Sequence, residues 1–213
     1  MKYFISLFLL TTACGRQADT LPFFNTPEFA PEWISPDSPA YSGIHRVPTF
    51  AFVDQEGDTI THKTIEGHIT VVDFFFTICP GICPRLTKSM GDVQKVFESD
   101  DAVTLLSHSV TPDMDNVERL KVYADAHHVN SNKWHLLTGD RASIYNIARR
   151  GYFADEETGF KKGDNEFLHT ENFILIDGMR RIRGVYNGTN QAEVARLIED
   201  IQILKKEMQD ENA

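Results

Sequence analysis

The feature that most constrains this chain is a short, continuous run of apolar residues that leads to two cysteines. The run from Ile69 to Phe76 contains one charged residue, Asp73, and is too short to cross a membrane. A run of this length is typical of a fully buried central strand. Apolar residues at helical spacing follow it, namely Leu86, Met90, Val93 and Phe97. The sequence therefore predicts a strand that leads through Cys79 and Cys83 into a helix.

The two cysteines lie where the predicted strand ends and the predicted helix begins. Free backbone N–H groups and the helix dipole at such a junction favour the thiolate over the thiol. Cys83 follows Cys79 by four positions, which would place both sulfurs on one helix face, about 6 Å apart along the axis. This spacing is compatible with a disulfide and also with joint ligation of one metal ion. It does not distinguish between the two.

The N-terminal segment has the organisation of a secretory signal. A charged start at Lys2 is followed by an apolar run from Phe4 to Leu10, which is too short for a stable membrane span. The next residues resemble a bacterial lipobox, with Thr11 where that pattern prefers leucine. We therefore expect a lipoprotein signal peptide over residues 1–13 and a lipid on Cys14, the alternative being a plain signal peptide and a free Cys14. The expected location is the bacterial cell envelope, membrane-anchored and facing the periplasm.

If Cys14 carries a lipid, Cys79 and Cys83 are the remaining cysteines of the chain, in an oxidising compartment. A disulfide that closes so short a loop constrains the unfolded chain very little. The pair is therefore expected to have a chemical role. The formal net charge of -10 argues against a nucleic-acid partner, because neutralising phosphates requires clustered lysine and arginine.

The rest of the sequence predicts one α/β domain behind an extended tether. Residues 14–46 are rich in proline and aromatic residues, and they are interpreted as a tether whose aromatic side chains contact the domain. Residues 47–213 alternate strand and helix patterns and end with an antiparallel hairpin and a closing helix. This order predicts a central mixed β-sheet flanked by helices on both faces. Within it, residues 151–166 are predicted to form a surface loop or a loose hairpin.

Several segments resemble the Sco/SenC family, whose members are thioredoxin-fold copper chaperones for the assembly of cytochrome c oxidase. The segments are Thr77-x-Cys79-Pro80-x-x-Cys83-Pro84, Ser109-Val110-Thr111-Pro112-x-x-Asp115, Trp134-x-x-Leu137-Thr138-Gly139 and Phe167-Leu168-His169-Thr170. The resemblance extends from about Val47 to the last helix. It implies a thioredoxin-like fold for this part of the chain.

The resemblance also implies a ligand set and a partner. Cys79, Cys83 and His169 would bind a copper ion, and the cysteines would form a redox-active pair. The copper would be delivered to the dinuclear site on the copper-bearing subunit of cytochrome c oxidase, with a periplasmic thiol reductant as a second partner. Thiolates select Cu(I), whereas imidazole accepts Cu(I) and Cu(II). Thr111 departs from the family, which usually has aspartate there, and this puts a role of that acidic position in doubt.

An alternative function is that of a thiol–disulfide oxidoreductase that reduces cysteines of the oxidase subunit or of other periplasmic proteins. This interpretation depends on Asp73, which lies where thioredoxins keep a buried carboxylate. Such a group can accept a proton during disulfide exchange. Against it, thioredoxins carry a proline just before the hairpin, whereas the segment Leu168 to Phe173 contains none and holds His169. The sequence does not decide whether the chain is an enzyme.

Overall fold

The computed structural model describes residues 20–154 and 170–210. The strands are β1 (Phe23–Phe24), β2 (Pro31–Glu32), β3 (Ala51–Val53), β4 (Thr59–Thr61), β5 (Ile69–Phe75), β6 (Val103–Ser109), β7 (Trp134–Leu137), β8 (Asn172–Ile176) and β9 (Ile182–Asn187). The helices are α1 (His62–Ile65), α2 (Cys83–Val96), α3 (Val117–Ala126), α4 (Arg141–Asn146) and α5 (Gln191–Asp210), with a 3-10 helix over Pro39–Gly43 and a π-helical turn over Ile147–Gly151. None of the helices in these two ranges has the length and apolar character that a membrane crossing requires.

A five-stranded mixed sheet in the order β7-β6-β5-β8-β9 forms the centre of the fold. Strands β5, β6 and β7 are parallel, whereas β8 runs antiparallel to β5 and pairs with β9 as a hairpin. All seven residues of β5 are buried, because the strand lies mid-sheet and both of its faces are covered. The predicted mixed sheet, C-terminal hairpin and closing helix are confirmed.

The two faces of the sheet pack against different elements. Helices α2, α3 and α5 cover the face that carries Val71 and Phe75 of β5. The β3–β4 hairpin, α1 and α4 cover the face that carries Val72 and Phe74. Successive side chains of a strand point to opposite faces, so Asp73 shares a face with Val71 and Phe75. The carboxylate of β5 therefore lies under the helix that starts at the second cysteine of the pair.

The N-terminal segment packs against the domain from Leu21 onward, where Leu21 and Phe23 are buried. The Arg183 guanidinium of β9 donates to the carbonyl oxygens of Leu21 at 2.6 Å and Pro22 at 3.0 Å. It also pairs with Glu207 of α5 at 2.7 Å, and Glu207 accepts the backbone N–H of Leu21 at 2.6 Å. The Phe23 ring stacks 4.3 Å from the same guanidinium. We call these contacts the Arg183 clamp, and they fix the chain to the domain at Leu21.

Residues 151–154 differ from the sequence prediction of a surface loop. All four are buried, and Tyr152 has no exposed surface. Its ring lies 5.5 Å from the ring of His108 and 5.8 Å from that of Phe74. The prediction was wrong here because the polar residues that follow outweighed the two aromatic residues in the composition of the stretch. Residues 155–166 lie outside the described residues.

Candidate functional site

The two cysteines occupy the loop that leads from β5 into α2. Helix α2 begins at Cys83, so Cys79 precedes it and the pair does not share a helix face as the spacing predicted. Pro84 in the first helical turn suits this start, because its missing N–H would have had no intrahelical partner there. Cys83 is buried and Cys79 is partly exposed, and both are free thiols. Each thiol nevertheless shifts the pKa of the other, so the loop brings the two side chains close together.

Cys79 is the more acidic of the two thiols. Its partial burial is the largest single influence and acts to raise the pKa. Hydrogen bonds from the Cys83 thiol and from the backbone N–H groups of Cys83, Gly81 and Ile82 outweigh this and lower the pKa of Cys79. The pKa of Cys83 is raised, chiefly by burial and then by the neighbouring Cys79. Cys79 is therefore the thiol of the pair that ionises first.

Asp73 lies on the cysteine side of the sheet as a buried acid, 2% exposed. It accepts a hydrogen bond from the hydroxyl of Ser107, and that hydroxyl accepts one from the indole N–H of Trp134 at 2.8 Å. Burial raises the pKa of Asp73 to about 7, and the bond from Ser107 partly opposes this. The negative charge of Asp73 contributes to the raised pKa of Cys83. The carboxylate thus lies close enough to the pair to respond to its charge.

Asp115 is a site residue that the sequence analysis quoted within a motif without giving it a role. Its carboxylate has no exposed surface and accepts hydrogen bonds from the Thr77 N–H at 3.2 Å and the Thr77 hydroxyl at 2.5 Å. It also accepts from the hydroxyls of Ser109 at 2.6 Å and Thr111 at 3.0 Å. Thr77 lies two residues before Cys79, so Asp115 links the end of β6 to the start of the cysteine loop. Thr111, the departure from the family, supplies one of these donors.

Two of the predicted site residues, Cys14 and His169, lie outside the described residues. Thr170, which follows His169, is buried, and its hydroxyl accepts a hydrogen bond from the N–H of Asn172 at 3.2 Å. Within residues 20–154 and 170–210, no three histidine, cysteine or acidic side chains form a group that could hold a metal ion. The described part of the chain therefore contains the two cysteines of the predicted ligand set, and the whole set stays a prediction.

Comparisons with known proteins point to one family. The model of the SCO1/SenC family matches residues 40–205. The SCO1 protein homolog of Bacillus subtilis (strain 168) is 28% identical over 159 residues, which are 74% of this chain and 81% of that protein.

Solved structures show the same likeness. A SCO1/SenC family lipoprotein from Bacillus anthracis is 28% identical with a TM-score of 0.66, over 76% of this chain and 95% of that one. BsSco, described as a member of the Sco family of cytochrome c oxidase assembly proteins in which a disulfide switch was identified, is 26% identical with a TM-score of 0.63, over 76% and 94%. Bradyrhizobium japonicum ScoI, solved with copper bound, is 22% identical with a TM-score of 0.59, over 75% and 99%. At that identity the last likeness shows the fold alone.

Proposed function

Since this chain belongs to the SCO1/SenC family, we propose that it is a copper metallochaperone that supplies the dinuclear copper site of cytochrome c oxidase. The observation that carries the proposal is the pair of adjacent free thiols of Cys79 and Cys83 at the strand–helix junction. The relative BsSco is described as belonging to a family of oxidase assembly proteins. A relative from Stutzerimonas stutzeri, 22% identical over 143 residues, is named a putative copper-binding protein.

The thiol pair fits copper better than it fits structural zinc. Soft thiolates favour both Cu(I) and zinc, but structural zinc sites have four protein ligands. The backbone N–H groups that converge on Cys79 lower the pKa of its thiol, which favours the thiolate that a metal ion binds. Cys83 must lose its proton for the metal to bind. A site of few ligands also suits a protein that must release its cargo.

His169 is proposed as the third ligand, and the strand register supports it. Strand β8 pairs antiparallel with β5, with Ile174 opposite Val72. The start of β8 therefore lies at the end of β5 from which the cysteine loop leaves. If the same pairing continued toward the N-terminus of β8, Thr170 would lie opposite Phe76, close to Cys79. An imidazole next to Thr170 would then be within reach of the two sulfurs.

An anaerobic Cu(I) titration of the reduced chain, in competition with a chelator, tests the ligand set. We expect one Cu(I) per chain and, in His169→Ala, a loss of affinity larger than the roughly 10- to 100-fold that is typical when a residue behind a ligand is changed, with one nitrogen ligand lost from the X-ray absorption spectrum. His68→Ala is the matched control, because among the described residues its imidazole is hydrogen-bonded to the backbone carbonyl of Glu66, 3.1 Å away. Unchanged affinity and ligand count in His169→Ala would remove His169 from the site.

We also propose that Cys14 carries a lipid that holds the domain at the periplasmic face of a bacterial membrane. The signal anatomy of residues 1–13 supports this, and the similar Bacillus anthracis protein is described as a lipoprotein. Mass spectrometry of the mature chain is expected to show an acylated N-terminal cysteine, and Cys14→Ser is expected to move the protein from the membrane to the soluble fraction. An unmodified wild-type N-terminus would refute the anchor.

A second candidate function is thiol–disulfide exchange, and the observation that favours it is Asp73. A buried carboxyl with a pKa near 7, close to Cys83, can accept the proton that this thiol loses. The two functions separate in Asp73→Asn. If the chain is an oxidoreductase, the Asp73→Asn variant reduces a disulfide peptide much more slowly than the wild-type protein does. If it is a metallochaperone, the variant keeps the wild-type Cu(I) affinity, and neither the variant nor the wild type turns over the peptide.

A further inference from the structure

We propose that Asp115 is a positioning residue, which holds the cysteine loop in the shape that presents Cys79 and Cys83 together. The inference relies on the proposed function for the identity of the metal that the loop binds. It does not depend on that function for the positioning itself, which concerns the metal-free protein.

The carboxylate of Asp115 is held entirely by donors of the chain. It accepts four hydrogen bonds, two of them from Thr77. Arg119 adds a cation, with its Nε atom 3.9 Å from the carboxylate, and donates to the Thr77 hydroxyl at 3.0 Å. A buried carboxylate without such partners would be costly, so the donors and the acid fix one another. As a result, both polar groups of Thr77 that can donate are tied to Asp115.

Because Thr77 is the residue at which the cysteine loop starts, holding Thr77 in place also fixes the start of that loop. The loop begins where the β5–β6 ladder ends, and the N–H of Val110 still donates to the carbonyl of Phe75 at 2.9 Å. Beyond that point, the N–H of Cys79 donates to the carbonyl of Phe76 at 3.3 Å. Between these bonds, Thr77 is anchored through Asp115. The side chain of Asp115 therefore supplies the hydrogen-bond partners that hold Thr77 in place, as a neighbouring strand does for the residues of β5.

A loop held in this way loses little conformational freedom when a ligand binds between its cysteines. Preorganisation of this kind raises affinity without adding a contact to the ligand. Residues that orient metal ligands without touching the metal typically change metal affinity by about 10- to 100-fold when they are substituted. Thr111 takes part, because its hydroxyl donates to the carboxylate where a second acid would add a negative charge. The departure from the family thus leaves Asp115 fully satisfied.

Asp115→Asn tests the proposal, because it keeps the volume but turns one acceptor into a donor that opposes the surrounding donors. Asp54→Asn is the matched control. Asp54 is also buried and accepts the N–H groups of Glu56 and Asp58 at 2.9 and 3.0 Å, together with a ring nitrogen of His135. None of these partners belongs to the cysteine loop. Each variant is compared with the wild-type chain for urea unfolding, Cu(I) affinity, and the rate at which iodoacetamide modifies Cys79 in the metal-free protein.

In Asp115→Asn we expect Cu(I) affinity to fall about 10- to 100-fold and alkylation of Cys79 to slow, because the N–H groups that favour its thiolate no longer converge. Asp54→Asn is expected to lose stability and to change neither readout. If Asp115→Asn does not fold, Thr77→Val carries the test, since it removes one hydroxyl and leaves three donors on the carboxylate. Thr77→Ser, which keeps the hydroxyl, is expected to behave as wild type.

Wild-type affinity and a wild-type alkylation rate in folded Asp115→Asn or Thr77→Val would overturn the positioning role. Equal effects of Asp54→Asn on both readouts would also overturn it, because the effect would then follow general stability. Absence of Cu(I) binding by the wild-type chain would instead refute the metallochaperone. In that case, the alkylation rates of the metal-free variants still decide the role of Asp115.

Discussion

His108 of β6 is expected to make one of two opposing contributions to the pH dependence of this protein's stability. Its ring packs against Phe52 and Phe74 at 5.3 Å each and against Tyr152 at 5.5 Å. Both ring nitrogens are buried and find no hydrogen-bond partner in the described part of the chain. Burial alone lowers the pKa of His108 to about 3, because the imidazolium ion would lose its hydration without gaining a partner.

The magnitude follows from the difference between the folded and unfolded pKa values. Between about pH 6.5, where an unfolded histidine titrates, and pH 3, the unfolded chain binds a proton at His108 and the folded chain does not. The stability due to His108 is therefore complete above about pH 6.5 and falls by about 1.4 kcal/mol for each pH unit below it. Going from about pH 7.5 to about pH 5 then costs about 2 kcal/mol.

Asp73 acts in the opposite direction over the same range. Its pKa is raised to about 7 in the folded protein, so the folded chain binds a proton there that the unfolded chain releases above about pH 3.9. The stability due to Asp73 is thus present at low pH and is lost as the pH rises through 7, which amounts to about 2.5 kcal/mol between pH 5 and pH 7.5. The two buried groups nearly cancel in the wild-type protein.

Single substitutions should reveal how His108 and Asp73 each change the free energy of unfolding with pH. Relative to wild type, His108→Phe is expected to gain about 2 kcal/mol between pH 7.5 and pH 5, and Asp73→Asn to lose about 2.5 kcal/mol. The double variant should run parallel to wild type. The assay is urea unfolding of the reduced protein at several pH values, followed by the fluorescence of the buried Trp134. If the stability of His108→Phe stays parallel to that of wild type, His108 is not the buried neutral group described here and the reasoning fails.

Three further predictions concern the loop, the packing of α2 and the N-terminal segment. Iodoacetamide at neutral pH should modify Cys79 before Cys83, since Cys79 is partly exposed with a lowered pKa and Cys83 is buried; peptide mass spectrometry that finds the reverse order would contradict this. Gly188→Ala should cost about 1–3 kcal/mol, because a Cβ there would lie 2.7 Å from two neighbouring side chains. Gly91→Ala, which meets nothing within 4 Å inside α2, should instead gain up to about 1 kcal/mol in thermal or urea unfolding. Arg183→Met should cost about 3 kcal/mol and speed proteolysis of residues 20–43, and unchanged proteolysis would show that the clamp does not hold this segment.

The sequence predicted the parts of the fold that local patterns determine. Strand β5 was predictable because a central parallel strand is buried on both faces and therefore reads as a continuous apolar run. The sheet with its hairpin and closing helix followed from the alternation of patterns. The start of α2 was less well determined, because helical spacing extends back to Cys79 while the backbone becomes helical only at Cys83.

Contacts between distant residues were beyond the reach of the sequence. Asp115 lies 38 positions from Thr77, and nothing local shows that its carboxylate supports the cysteine loop. The burial of Tyr152 was missed for a similar reason, since the aromatic cluster around it gathers residues from several segments. The burial of Asp73 was expected from the resemblance of its segment to the one in which thioredoxins keep a buried carboxylate, and the structure buries it.

The Arg183 clamp limits how far Cys14 can lie from the domain. From Cys14 to Leu21 is seven residues, and a fully extended peptide of that length spans about 25 Å at most. If Cys14 carries the proposed lipid, the point at which the chain joins the domain would stay within about 25 Å of the bilayer, because the aromatic segment after Leu21 packs on the domain and adds no length. Such an anchored protein would meet acceptors in the same membrane by lateral diffusion, and the search for its partner would take place in two dimensions.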